Sequence, residues 1–166
     1  MGKAHENLLL AQQAVRYVQE YISVGAGNKL GDVIGTGGSV LSCVADARDA
    51  RGKNNITSLE GIRFIARQTE RTGCGNCGEQ SAIAFMFLYE RKVLPLDIMA
   101  VKGRDHNYVV IGRAFDEGTG MGVAGWGEDA VVCDPWKGKA YLAGDFYWNM
   151  TNRNIYWNRV FRAENP

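Results

Sequence analysis

The chain predicts an α+β fold, and two observations carry that prediction. The first half shows helical spacing of apolar residues, while the second half changes to short alternating apolar runs separated by glycine-rich turns. Helices gathered before strands argue for an antiparallel sheet with helices on one side, rather than alternating βα units.

The 166 residues have the size of one domain, with apolar residues at 46 % and charged residues at 22 %. A core of this size does not need disulfide staples. The boundaries read from sequence give a single domain over 1–166. Within it, 1–56 is a helical and Gly-rich N-terminal part, and 57–166 holds the chemistry.

Glu6 to Ile22 reads as an amphipathic helix, with Leu9, Leu10, Ala14, Tyr17, Val18, Tyr21 and Ile22 at helical spacing. Val24 to Gly38 carries six glycines and reads as a flexible loop. It lacks the Gly-Lys-Ser/Thr ending of a phosphate loop. Val40 to Ala50 reads as a short helix and Arg51 to Asn55 as a polar turn. Ser58 to Arg67 reads as a helix capped by Thr57 or Ser58. Thr72 to Asn76 is a tight turn. Cys77 to Lys92 is the strongest helix, apolar nearly all round through Ala82, Ile83, Phe85, Met86, Phe87 and Leu88, which predicts a buried central helix.

Asp97 to Val101, Tyr108 to Ile111 and Ala130 to Cys133 read as strands. Gly118 to Gly127, with five glycines, reads as a long hairpin loop. Tyr141 to Trp148 reads as a short helix, and Ile155 to Phe161 as the last strand.

Net charge is +1 from 19 basic and 18 acidic residues, with no basic block, which argues against nucleic acid and anionic membrane as partners. No apolar run approaches the ~18 residues of a membrane span. The start Met1-Gly2-Lys3-Ala4-His5-Glu6 lacks the apolar stretch of a signal peptide, and Glu6 occupies the Ser/Thr position of a myristoylation signal.

Three residues stand out at element edges. Cys77 opens the central helix after Gly75-Asn76. His106 precedes the alternation Tyr108 to Ile111. Asp134 ends a strand and is followed by Pro135-Trp136. A thiol is nucleophilic as thiolate, and the unpaired N–H groups of a helix N-terminus favour that anion. An imidazole can take the thiol proton, and a carboxylate can hold the other ring nitrogen. His5 is the only other histidine, so His106 is the expected base. The backbone N–H of Cys77 is one natural oxyanion donor, and Gln68 is the side-chain candidate for the other. Asn76 and Trp136 are the expected substrate-binding residues. Glu79, in the first turn, is expected to point away from the sulfur.

Other chemistries stay open at this level. Cys74 and Cys77 form a C-x-x-C pair that could take zinc together with Cys43, Cys133 or His106. The same pair could close into a disulfide that silences the nucleophile. A zinc deaminase needs a His-x-Glu or Cys-x-Glu element that is not found, and a redox dithiol of thioredoxin type needs a βα unit that is not found. The bland reading is a packed helix cysteine, a structural histidine and a turn-starting Asp-Pro.

The order Asn76-Cys77-Gly78-Glu79, Asp105-His106, Asp134-Pro135-Trp136 resembles the papain-like and transglutaminase-like thiol enzymes, and most of all the toxin and effector domains of bacteria. The resemblance spans Gly73 to Trp136. It implies a papain-like core, Cys77 as nucleophile, His106 as base and Asp134 as orienter, with no metal or cofactor. It implies a cysteine hydrolase that deamidates glutamines of a target protein, with proteolysis and transglutamination as alternatives. It further implies secretion from bacteria without a signal peptide, action in a target-cell cytoplasm as a virulence factor, and an immunity or chaperone protein as partner. The expected site of action is a reduced compartment. The alternative of another class is a non-catalytic, zinc-binding interaction module.

Overall fold

The computed structural model describes residues 2–114, 117–150 and 155–165. Met1, part of the N-terminal segment read above, lies outside them. The fold is α+β, as the change of periodicity predicts. Five helices come first: α1 (Lys3–Tyr21), α2 (Leu30–Gly35), α3 (Ser39–Ala50), α4 (Leu59–Thr72) and α5 (Cys77–Glu90). The strands follow: β1 (Leu96–Val101), β2 (Asn107–Ile111), β3 (Thr119–Met121), β4 (Val131–Asp134), β5 (Lys139–Leu142) and β6 (Tyr156–Ala163), with a short helix α6 (Phe146–Met150) before the last.

The six strands form one antiparallel sheet in the order β3-β6-β1-β2-β4-β5. The period-2 alternation of β2 sorts its side chains between two cores. Val109 and Ile111 face α1, α4 and α5, while Tyr108 and Val110 face the aromatic layer built by Trp126, Phe146 and Trp157. The central helix α5 buries every residue from Glu79 to Leu88. No single stripe of it faces solvent, which is why its apolar residues run all round. α1 packs in this main core through Ala11, Ala14, Val15 and Val18.

α4 starts where the sequence places it, with the Ser58 hydroxyl accepting from the Gly61 N–H at 3.1 Å. It runs beyond Arg67 to Thr72 and stops at Gly73, whose φ of 72° closes the helix in the left-handed conformation that glycine adopts without penalty. Gly75 sits in a close approach, since a Cβ there would meet the Cβ of Glu79 at 2.6 Å. These two glycines turn the chain from α4 into α5 in four residues.

Three readings need correction. The loop predicted over Val24 to Gly38 contains α2, a six-residue helix with no buried residue. Its periodicity is too short to stand out among glycines. The long hairpin loop contains β3, whose edge residues Thr119 and Met121 are exposed and so carry no apolar signal. Tyr141 belongs to strand β5, and the helix begins only at Phe146. Tyr141 and Phe146 are buried in the same aromatic layer, so their side chains carry one continuous apolar signal across two elements.

α2 and α3 stand apart from the main core. Val40, Val44 and Cys74 make a separate small cluster with Val24, Val33 and Cys43 around it. A disulfide joins Cys43 of α3 to Cys74, 31 residues away in sequence, so the C-x-x-C pair is not the bridge. A crosslink of this span removes roughly 3–4 kcal/mol of unfolded-chain entropy on the loop-closure model.

Candidate active site

The three elements that carry the chemistry meet at one end of the sheet. Asn76 is the N-cap of α5 and Cys77 its first residue. The Asn76 N–H donates to Glu79 Oε2 at 2.9 Å, so Glu79 turns back on the helix start. Arg48 reaches the same carboxylate through Nε at 2.9 Å and Nη2 at 3.2 Å, and Arg51 does so at 3.0 Å. Burial alone would raise the Glu79 pKa; the Arg48 pairing outweighs it, helped by the Asn76 N–H and Arg51, and holds the carboxyl below its usual range. Its charge is thereby spent on two guanidinium groups instead of opposing a thiolate on Cys77.

Cys77 is a free thiol, 2 % exposed, and its Sγ lies 3.6 Å from the carbonyl oxygen of Asp105. The next residue is His106, immediately before β2. His106 Nε2 lies 2.6 Å from Asp134 Oδ2. Asp134 is fully buried at the end of β4, and its Oδ1 accepts from the Lys137 N–H at 3.1 Å in the turn that Pro135 opens. Register puts these strands side by side, with Val109 opposite Cys133. The carboxylate and the imidazole therefore face each other from neighbouring strands.

Burial of His106 works against its charged form, but hydrogen bonds with Asp134 and then with the Cys77 side chain overcome it and raise its pKa to about 9. With Nε2 held by Asp134, Nδ1 is the ring nitrogen left for the thiol. An imidazolium beside a sulfur at a helix N-terminus is the setting in which a thiolate is favoured. Cys133, buried and close to Asp134, has its pKa pushed far up and is inert by comparison.

Trp136 lies edge-on to His106, with ring centroids 5.5 Å apart. Its Nε1 donates to Asn28 Oδ1 at 2.7 Å, and the Asn28 N–H donates to Asn76 Oδ1 at 3.2 Å. Lys29 Nζ sits 5.0 Å from the centre of the Trp136 ring. Asn28 thus links the residue before the nucleophile to the aromatic beside the base. Sequence reasoning missed it, because an asparagine in a glycine-rich loop carries no periodic signal. The one local sign is Asp32, whose Oδ2 accepts the Ala26 N–H at 2.8 Å and folds the loop.

The structure brings Cys77, His106, Asp134, Asn76 and Trp136 together. Gln68 lies half-buried on α4 and makes none of the hydrogen bonds that tie these residues to their neighbours. The zinc set does not assemble either. Cys43 and Cys74 are bonded to each other, and no cluster of three metal-ligating side chains occurs among the described residues. The disulfide also removes the expected Cys74–Cys77 bridge, leaving Cys77 free. No helix among the described residues is long and apolar enough to cross a membrane.

No protein-family model and no curated protein matches this chain.

Proposed function

We propose that this protein is a thiol-dependent acyl-transfer enzyme with a papain-like core, a Cys77-His106-Asp134 triad, and glutamine side chains of a target protein as substrate. The observation that carries the reading is the His106–Asp134 pair at 2.6 Å beside a free cysteine on the first turn of a buried helix.

The steps follow from the groups present. His106 Nδ1 takes the Cys77 proton, and the sulfur attacks the amide carbon. The negative charge that develops on the oxygen is met by the Cys77 backbone N–H at the helix start, a kind of contact whose loss costs about 2.7–4 kcal/mol of barrier. His106 then gives its proton to the departing nitrogen, and ammonia leaves. Water, deprotonated by His106, resolves the thioester to glutamate and frees the thiol. Asp134 keeps the ring oriented and stabilises its charged form throughout.

Deamidation stands ahead of peptide-bond hydrolysis and transglutamination because the motif order resembles bacterial effector domains. On this reading the protein is a secreted bacterial virulence factor that acts in a target-cell cytoplasm, and an immunity or chaperone protein accompanies it in the producing cell. Incubation with a target-cell lysate, followed by peptide mass spectrometry, tests it. Glutamine-to-glutamate conversions that appear with wild type and vanish with Cys77→Ala are expected. New peptide termini in their place would move the assignment to a protease, and neither change would remove the hydrolase reading.

A further inference from the structure

The Cys43–Cys74 disulfide is placed to govern the site. Cys74 lies three residues before Cys77, between the end of α4 and the start of α5. The segment around it is strapped to the loop before α2. The Val24 N–H donates to Gly73 O at 2.8 Å, and a β-bridge between Gly25 and Cys74 is made by the Gly25 N–H donating to Gly73 O at 3.3 Å and the Gly75 N–H donating to Gly25 O at 3.1 Å. The same loop carries Asn28, which bonds both Asn76 and Trp136. One continuous set of contacts therefore runs from the disulfide through the nucleophile's cap to the ring beside His106.

Little else fastens α2 and α3. α2 buries nothing, and α3 buries only Val40, Val44 and Ala47. The other ties are the small cluster that Val40 and Val44 make with Cys74 and Val24, and the Arg48 and Arg51 pairs on Glu79, with Arg48 43 % exposed on its side chain. Cys43 is partly exposed, so a reductant can reach the bridge from its side, whereas Cys74 is 1 % exposed.

We propose that the Cys43–Cys74 disulfide is a redox-controlled clasp: oxidised, it holds Cys77, Asn28 and Trp136 in their reactive arrangement; reduced, it lets the α2–α3 segment slacken and quiets the site. The inference rests on the thiol-enzyme reading. Its polarity is opposite to simple activation of a thiol enzyme by reductant, so in a reducing target-cell cytoplasm the oxidised protein acts only until the bridge is reduced, and the clasp limits how long the activity lasts. The reductant is a dithiol. Its thiolate attacks Cys43 Sγ, and Cys74 leaves as thiolate and takes a proton. The second thiol of the reductant then displaces Cys43, which also ends as a thiol. Two electrons pass from the dithiol, which becomes a disulfide, and Cys77 remains a thiol throughout.

The test uses the full chain in two states, oxidised and dithiothreitol-reduced, with the bridge verified by differential alkylation. Iodoacetamide labelling of Cys77 at about pH 6.5, where a free thiol is mostly protonated, is read with amide hydrogen exchange. Reduction is expected to slow Cys77 labelling about tenfold and to raise exchange in 24–29 and 73–76 while 82–88 stays protected. The Cys43→Ala/Cys74→Ala double variant should match the reduced state and ignore dithiol; should it fail to fold, the wild-type pair of states still decides. A Cys77 rate unchanged or faster on reduction overturns the clasp. A Cys77 unreactive in both states removes the thiol reading, and unchanged exchange in 24–29 would then remove the clasp as well.

Discussion

Two parts of this molecule are held together by different physics. The body formed by α1, α4, α5 and the sheet is fixed by apolar burial: Ile83, Leu88, Ile98 and Val109 are all fully buried. The α2–α3 segment exposes Leu30 at 75 % and Ile34 at 70 %, and is held by one disulfide, a pair of arginines and the small cluster around Val40 and Val44. The catalytic candidates belong to the body, yet Asn28 and Lys29, which contact Asn76 and Trp136, lie in the loop that leads into the segment. A densely packed body thus carries the proposed bond-making groups, while the loop leading into a weakly packed region contacts their neighbours.

The largest effects should come from breaking the body's site. Cys77→Ala is expected to leave no turnover above background, and His106→Ala to lower it by about 10²–10⁴-fold. Cys77→Ala should keep the wild-type thermal unfolding profile in calorimetry. Asp134→Ala should lower kcat by about 10²-fold or more, and NMR titration should show the His106 pKa falling from about 9 towards 6.5. An unchanged His106 titration would break the link between the two residues.

Stability measurements sharpen the comparison itself. Ile83→Ala, at a fully buried position of α5, should cost about 2–5 kcal/mol in denaturant unfolding. Leu30→Ala in α2 should stay within about 0.5 kcal/mol. Similar losses at both sites would show that the segment is packed like the body.

The titration of His106 adds a pH dependence to these measurements. His106 has a folded pKa raised from 6.5 to about 9, so its contribution to stability is complete below about pH 6.5 and is lost as pH rises through about 9. Wild type should lose stability over that window, and His106→Ala should lose less of it.

The candidate residues' places were legible in the sequence where local chemistry marks an element's edge. Asn76 before Cys77 announces a helix start, and Pro135 after Asp134 announces a strand end. The disulfide was not legible, because four cysteines allow three complete pairings and spacing favours the wrong one. Cys43 and Cys74 meet only once α3 lies against the turn between α4 and α5. β3 and β5 were missed for another reason: short edge strands gain stability from pairing, which leaves no apolar pattern in their own residues. Asn28 was invisible because its role consists of two hydrogen bonds to residues 48 and 108 positions away.

The most direct test of the account is the pH profile of alkylation at Cys77 in oxidised wild type and in His106→Ala. The account predicts fast labelling well below the free-thiol pKa of about 8.5, lost when the imidazole is removed. Labelling that rises only near that pKa, or that is the same in both proteins, would contradict an activated Cys77–His106 pair.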